Sequence, residues 1–98
     1  MNRETILQFL SAHKEEYLKK YHLSKIILFG SFAQNRANET SDVDIVYELE
    51  KGKKLSADAY FELLNELESA FERKVDFIRE KRMNPIIKME ASKDFIYV

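Results

Sequence analysis

The stretch 30–44 joins two apolar runs and is the part of the sequence that most restricts how the chain can fold. The first run, residues 26–29, ends at a Gly-Ser pair, and the second run opens with an Asp-Val-Asp triplet. Side chains alternate along a β-strand, so Asp42 and Asp44 are expected on the same face of the second strand. Because the end of one strand and the start of the next must both lie at this point, the two strands are predicted to be antiparallel.

The polar ends of these two strands predict a site for phosphoryl or nucleotidyl transfer. Two carboxylates held on one face repel each other unless a cation lies between them, and Mg²⁺ prefers such hard oxygen ligands. Gly30 allows the backbone to approach a ligand closely because it has no Cβ atom. Ser31 is expected to cap a short turn of helix, whose free N–H groups would then face an anion.

The apolar periodicity of the remaining sequence predicts further elements around these strands. They are a helix over residues 2–21 capped by Asn2 or Thr5, strands over 25–29 and 42–49, a helix over 57–71 capped by Ser56, a strand over 75–78, and a short helix that starts at Asn84-Pro85. The apolar tail 95–98 either adds an edge strand, covers the core or contacts a partner. We expect a single domain over residues 1–98 of the α/β (α+β) class, with a mixed sheet of at least three strands and helices packed on one face.

Asp76 is the third candidate carboxylate, and it lies on the strand predicted over residues 75–78. A helical crossover between two strands of one sheet favours their parallel pairing. The start of this third strand should therefore lie beside the start of the second. On that basis Asp76 is expected next to Asp42 and Asp44.

Length, charge and composition exclude several classes of protein. A chain of 98 residues can bury one core but not a second lobe. A net charge of −1 gives no overall field for holding long nucleic acid, and the absence of cysteine excludes disulfides and thiolate metal sites. No apolar run approaches the roughly 20 residues of a membrane helix, so a cytoplasmic location is expected.

Three groups of polar residues have more than one interpretation. His13 lies on the apolar side of the first helix, where a histidine is more often packed than catalytic. Arg36 could contact a triphosphate or be an ordinary surface arginine. The basic cluster Arg79, Lys81 and Arg82 could hold phosphates, contact an acidic partner or simply be solvated.

The spacing of the Gly-Ser pair and the two aspartates resembles the GS-x10-DxD signature of the DNA polymerase β-like nucleotidyltransferase superfamily. Three positions between the two halves also match the consensus of that family: Ala33, Ala37 and Ser41. The rest of the chain resembles the minimal nucleotidyltransferases, in which a third carboxylate on a later strand corresponds to Asp76. Their ending is similar to residues 95–98. The family often carries Arg-Gly where this chain has Gln34-Asn35, so a basic contact at position 34 is lost, although asparagine also tolerates a left-handed backbone.

The resemblance implies an enzyme that uses ATP and two Mg²⁺ ions. Asp42 and Asp44 would hold the ions. Asp76 would complete the second ion site and accept the proton of the attacking hydroxyl. The nucleotide-binding residues would be Gly30, Ser31 and Arg36.

Minimal nucleotidyltransferases of this kind are commonly paired with a HEPN-domain ribonuclease toxin, which they neutralise by attaching AMP to a tyrosine. The resemblance therefore implies that the chain is such an antitoxin. One alternative is an antitoxin that only binds its partner and leaves the metal site unused. Another is a nucleotidyltransferase that acts on a small molecule or on RNA.

Overall fold

A computed structural model describes all 98 residues, and its central feature is a sheet of four strands. In chain order the elements are α1 (Arg3–Tyr21), β1 (Leu23–Phe29), α2 (Gly30–Ala33), β2 (Val43–Leu49), α3 (Ala57–Phe71), β3 (Val75–Arg79), a 3₁₀ turn (Glu80–Arg82), α4 (Pro85–Ala91), a second 3₁₀ turn (Ser92–Asp94) and β4 (Ile96–Tyr97). No helix has both the length and the apolar character that crossing a bilayer requires.

The sheet is mixed, with the strand order β3-β2-β1-β4. Strand β1 is antiparallel to β2 and to β4, whereas β2 and β3 are parallel and are joined by α3. Both pairings predicted from the sequence are therefore present. Of the roles considered for the tail, the structure shows two. It adds an edge strand, whose pairing is extended where the N–H of Val98 donates to the carbonyl of Ile26 at 2.9 Å, and its Ile96 and Val98 side chains pack against the core.

Side-chain caps begin the helices where the sequence predicted them. The side chain of Asn2 accepts a hydrogen bond from the N–H of Thr5 at 2.9 Å, so Asn2 rather than Thr5 caps α1. Ser56 caps α3, and Asn84 caps α4 with Pro85 at the first helical position. Because each cap satisfies an N–H group that the helix itself leaves unpaired, these residues fix where the helices start.

One face of the sheet packs against the two long helices, α1 and α3. The largest fully buried side chains of this core include Leu10, Tyr17, Ile45, Leu63 and Phe71. The prediction that helices pack on one face is confirmed. The opposite face carries the candidate carboxylates, but its centre is also covered, because Ile27 and Val46 are fully buried there.

Glu80 ties the C-terminal segment to the sheet. Its carboxylate oxygens lie 3.0 Å from Nζ of Lys25 on β1 and 3.7 Å from Nζ of Lys88 on α4. The Glu80 side chain is only 12% exposed, so solvent screens these ion pairs less than it screens most surface pairs. Helix α4 is thereby held beside β1.

The outer edge of β3 is closed by side chains of α3. The hydroxyl of Tyr60 donates to the carbonyl of Phe77 at 2.8 Å, and the Glu68 carboxylate accepts from the N–H of Val75 at 2.9 Å. A free strand edge invites pairing with another chain. These two contacts reduce that tendency at the strand that carries Asp76.

Candidate active site

Strand pairing brings the candidate site residues to one end of the sheet. Phe29, the last residue of β1, is the partner of Asp44 on β2, and Asp44 is the partner of Asp76 on β3. Gly30 follows Phe29 directly in the chain. The glycine bend and two of the three predicted carboxylates therefore lie side by side.

Gly30 is packed directly against Asp44. Its φ of +75° lies in the left-handed region that favours glycine. A Cβ atom added to Gly30 would lie only 2.1 Å from Oδ2 of Asp44 and 2.9 Å from its Cγ. Glycine is therefore required twice at this position, once for the backbone conformation and once for the space that the carboxylate occupies.

The Asp44 carboxyl is unusually difficult to ionise. Burial is the largest cause that raises its pKa from 3.8 to about 6, and a hydrogen bond with Asp76 and the negative charges of Asp76 and Asp42 act in the same direction. Two carboxylates that share a site oppose each other's ionisation, whereas a cation between them favours both charged forms. The pair is thus better suited to binding a cation than an ordinary solvated strand end would be.

Asp42 lies just outside β2, because the strand begins at Val43 rather than at the predicted residue 42. Its charge still contributes to raising the pKa of Asp44. No group of three or more His, Cys, Asp or Glu side chains in the chain is arranged so that it could hold a metal ion by itself. The register brings the carboxylates of Asp44 and Asp76 together, and Asp42 is a charged neighbour of this pair.

The predicted capping role of Ser31 is wrong. Helix α2 begins at Gly30, two residues before the start that a cap at Ser31 implies, and its N-cap is Phe29, which has an extended backbone and no side-chain cap hydrogen bond. The bend at Gly30 causes this difference, because the carbonyl of Gly30 already accepts from the N–H of Gln34 at 3.0 Å. Ser31 therefore lies within the first turn, whose N–H groups have no partner inside the helix.

Residues 34–36 show how the chain accommodates its departure from the Arg-Gly pattern. Asn35 has a φ of +60°, so asparagine does take the left-handed conformation at this position. The Gln34 amide accepts from the Arg36 guanidinium and donates to Oδ2 of Asp94 at 2.6 Å. Arg36 is exposed, and its role at a triphosphate stays a prediction.

Arg73 lies close to the candidate site, and the sequence analysis did not identify it as a site residue. Its guanidinium donates to the carbonyls of Asn38 at 3.2 Å and Ser41 at 3.0 Å, and it lies 5.2 Å from the centre of the Phe32 ring. These contacts fasten the connection between α2 and β2 just ahead of Asp42. An arginine before a strand has many possible partners, so only the tertiary structure identifies this one.

The three residues of the basic cluster, Arg79, Lys81 and Arg82, differ in their contacts. Nε of Arg79 donates to the Glu48 carboxylate at 2.8 Å, and the backbone N–H of Lys81 donates to the same side chain at 3.2 Å. Arg79 is thereby committed to a structural ion pair. The side chains of Lys81 and Arg82 are exposed.

Comparison with known proteins gives one family. Residues 13–97 match the family described as polymerase beta, nucleotidyltransferase. The chain is 38% identical over 94 residues to MJ1379 of Methanocaldococcus jannaschii, described as a candidate protein adenylyltransferase, and the match covers 95% of this chain and 94% of that protein. It is 30% identical over 95 residues to the protein adenylyltransferase MntA of Thermococcus cleftensis, covering 97% and 94% of the two chains.

Solved structures show the same fold. A structure described as a candidate minimal nucleotidyltransferase superposes with a TM-score of 0.78 at 24% identity and covers 98% of this chain and 95% of that chain. A chain of the structure described as the tri-AMPylated HEPN toxin of Shewanella oneidensis in complex with MNT antitoxin also matches. Its TM-score is 0.65 at 20% identity, and the match covers 99% of this chain and 71% of that chain. The predicted polymerase β-like fold is confirmed.

Proposed function

Because the chain belongs to the polymerase β nucleotidyltransferase family, we propose that it transfers AMP from ATP to a tyrosine of a HEPN-domain toxin and so neutralises the toxin. The relatives described as protein adenylyltransferases support AMP as the transferred group. The likeness of fold to a complex of an MNT antitoxin with an AMPylated HEPN toxin supports the acceptor. The single observation that carries the proposal is the half-buried Asp44–Asp76 pair packed against the bend at Gly30.

In the proposed reaction, the tyrosine hydroxyl oxygen attacks the α-phosphorus of ATP. A bond forms between that oxygen and phosphorus, the bond between phosphorus and the oxygen that bridges to the β-phosphate breaks, and pyrophosphate leaves with the electron pair. Asp76 takes the hydroxyl proton. Backbone N–H groups at Gly30 and Ser31 hold the triphosphate, and Arg36 adds positive charge.

Asp42, Asp44 and Asp76 are the residues that would hold Mg²⁺. The ion would stabilise negative charge on the phosphates during transfer. Oxygen-only donors and the raised pKa of Asp44 fit such a cation. Without a cation, the negative charges of Asp44 and Asp76 would repel the triphosphate.

The test is transfer of label from α-labelled ATP to a purified HEPN-domain toxin, in the presence of magnesium. We expect labelled HEPN protein with the wild type and none with the double variant Asp42→Asn/Asp44→Asn. Asp58→Asn, which makes the same substitution at an exposed position of α3, is the matched control and should transfer normally.

Three results would each contradict a different part of the proposal. If the HEPN protein is neutralised but never labelled, the chain acts by contact alone. If label reaches RNA or a small molecule instead of the HEPN protein, the acceptor is wrong although the chemistry stands. Undiminished transfer by the double variant would refute the assigned roles of Asp42 and Asp44.

A further inference from the structure

The largest cavity of the molecule, about 530 Å³, lies towards the end of the sheet opposite the candidate carboxylates. Tyr47 on β2 and Arg79 on β3 both line it, and each lies three residues beyond the aspartate of its own strand. At about 3.3 Å per residue, the cavity is roughly 10 Å from the Asp44–Asp76 pair. It is therefore separate from the candidate active site, although the same two strands carry both.

The inner wall of this cavity is aromatic and its rim is apolar. Tyr47 and Phe77 stack with their ring centres 4.3 Å apart, and both side chains are nearly inaccessible. At the rim, Phe61 of α3 is 57% exposed and Ile78 of β3 is 36% exposed. Exposed apolar side chains that border one cavity are typical of an interaction site, whereas single ones are common on any surface.

The charged groups that line the cavity are both positive. They are Arg79 and Arg82, and none of the ten lining residues is acidic. Burial raises the pKa of the Tyr47 hydroxyl, whereas the charges of the two arginines oppose this rise, so their field reaches the inner wall. Arg79 already pairs with Glu48, but Arg82 is exposed and forms no ion pair.

The surroundings of the cavity are basic as well. Lys81 is exposed beside Arg82. The turn that leads from β2 to α3 carries three exposed lysines: Lys51, Lys53 and Lys54. Because the whole chain has a net charge of −1, this positive surface is a local feature. It is complementary to a partner that carries carboxylates at the point of contact.

The shape of the cavity favours a protein segment over nucleic acid. Single-stranded nucleic acid binds by stacking its bases on free aromatic faces, and the stacked, nearly inaccessible rings of Tyr47 and Phe77 offer none. Addition of a partner strand to β3 is also unsuited, because the hydroxyl of Tyr60, another lining residue, already donates to the Phe77 carbonyl. What fits is one apolar side chain with carboxylates on either side of it.

We propose that this cavity is a second contact site for the HEPN-domain toxin, which inserts an apolar side chain of an acidic segment and places the flanking carboxylates on Arg82 and the neighbouring lysines. The inference rests on the proposed function, because it concerns the same acceptor protein. A standard protein interface buries about 800 Å² on each partner, wide enough to include both the cavity and the carboxylate pair. Contact at two points restricts the orientation in which the tyrosine of the toxin meets the α-phosphate.

Charge reversal tests the electrostatic part of this contact. With the full chain and purified HEPN-domain toxin, Arg82→Glu should raise the KM for the toxin at least about tenfold, the effect of one lost hydrogen bond between charged groups, and leave kcat unchanged. The dissociation constant of the toxin, measured by calorimetry without ATP, should rise as well. Lys14→Glu, a charge reversal at an exposed position of α1, is the matched control and should leave both constants at their wild-type values.

The apolar part of the contact is tested by Phe61→Ser. This variant removes the exposed ring from the rim and should raise the same two constants, while the affinity for ATP stays at the wild-type value. Because Phe61 and Arg82 are exposed, both variants should keep the fold, and urea unfolding of each variant checks this.

Several results would overturn the inference. One is wild-type toxin binding by both Arg82→Glu and Phe61→Ser. Another is equal weakening by Lys14→Glu, which would show a general effect of net charge. A third is normal toxin binding by Arg82→Glu together with lost affinity for a single-stranded oligouridine, which would assign the cavity to nucleic acid.

Failure of the inference can be distinguished from failure of the proposed function. If Arg82→Glu and Phe61→Ser label the toxin with the wild-type KM, the second contact site is wrong and the proposed function stands. If the wild type binds the toxin through Arg82 but never labels it, the proposed function fails and the contact site stands.

Discussion

Replacing Gly30 by alanine tests whether the close packing of Gly30 against the Asp44 carboxylate is needed for activity. Ordinary van der Waals contact begins at 3.4 Å, so an added Cβ atom, 2.1 Å from Oδ2, forces that oxygen to retreat by at least about 1.3 Å. Rotation of the Asp44 side chain moves its Oδ2 and Cγ atoms but not its Cβ atom, which stays 3.1 Å from the Cβ atom added at residue 30. Because this contact is tight, the backbones of the two residues must also shift slightly apart. A displacement of about 1 Å at a reacting group costs on the order of 100-fold in rate.

Gly52→Ala is the matched control for backbone strain. Gly52 has a φ of +80°, close to that of Gly30, but an added Cβ atom there meets nothing within 4 Å. Alanine in the left-handed region costs about 1–2 kcal/mol at either position. Both variants should therefore show this loss in the free energy of unfolding measured with urea. Gly30→Ala should lose about 1 kcal/mol more, because it also forces the Asp44 side chain to rotate.

The assay combines AMP transfer with an NMR titration of the Asp44 carboxyl carbon. In the wild type this carbon should titrate at about pH 6. In Gly30→Ala the carboxylate is displaced from its half-buried position and from its hydrogen bond with Asp76, so the midpoint should fall towards 3.8 and transfer should drop by about 100-fold. Gly52→Ala should leave both quantities unchanged. If Gly30→Ala keeps the midpoint near 6 and transfers at the wild-type rate, the packing of Gly30 on Asp44 has no part in the site.

Three further predictions follow from individual contacts. In urea unfolding without divalent ions, Asp44→Asn should stabilise the fold at pH 8 but not at pH 4. The wild-type Asp44 carboxyl contributes to folding stability when it is protonated. This contribution is fully present below pH 3.8 and is lost as the pH rises through about 6. Equal effects at both pH values would contradict the raised pKa. Arg73→Ala should cost about 2–4 kcal/mol and lower transfer. Arg73→Lys should recover stability only in part, because lysine has no planar guanidinium to lie over the Phe32 ring, and full recovery of stability by lysine would contradict this. Tyr60→Phe should cost about 1 kcal/mol and speed hydrogen exchange along β3, and unchanged exchange would show that the bond to the Phe77 carbonyl does not protect the edge.

The arrangement of the carboxylates could be predicted from the sequence because it depends on periodicity and on connection type. Alternation along β2 assigns Asp44 to the face opposite Ile45, and the crossover helix requires β3 to be parallel to β2. These two rules are enough to place Asp76 beside Asp44. Neither rule needs any knowledge of side-chain packing.

The features that were not predicted depend on contacts between distant segments. Arg73 fastens the connection ahead of Asp42, although more than 30 residues separate it from its partners. Glu80 links α4 to β1 through ion pairs with Lys88 and Lys25, residues that lie far from each other in the sequence. The capping prediction for Ser31 fails for a local reason, since the bend at Gly30 starts the helical turn two residues before a cap at Ser31 would. Sequence patterns carry no information on such contacts.

The register of β2 and β3 explains how a chain can keep two opposed carboxylates together. On the helix-covered face, the register aligns Val43 with Val75 and Ile45 with Phe77, and all four side chains are buried. Each such side chain contributes about 1.5–3 kcal/mol, so together they exceed the repulsion between Asp44 and Asp76. A slip of one residue would turn the aspartates into the core and the apolar side chains out. The carboxylate pair is therefore imposed by the core on the other face of the sheet, and a bound cation would stabilise an arrangement that the fold has already set.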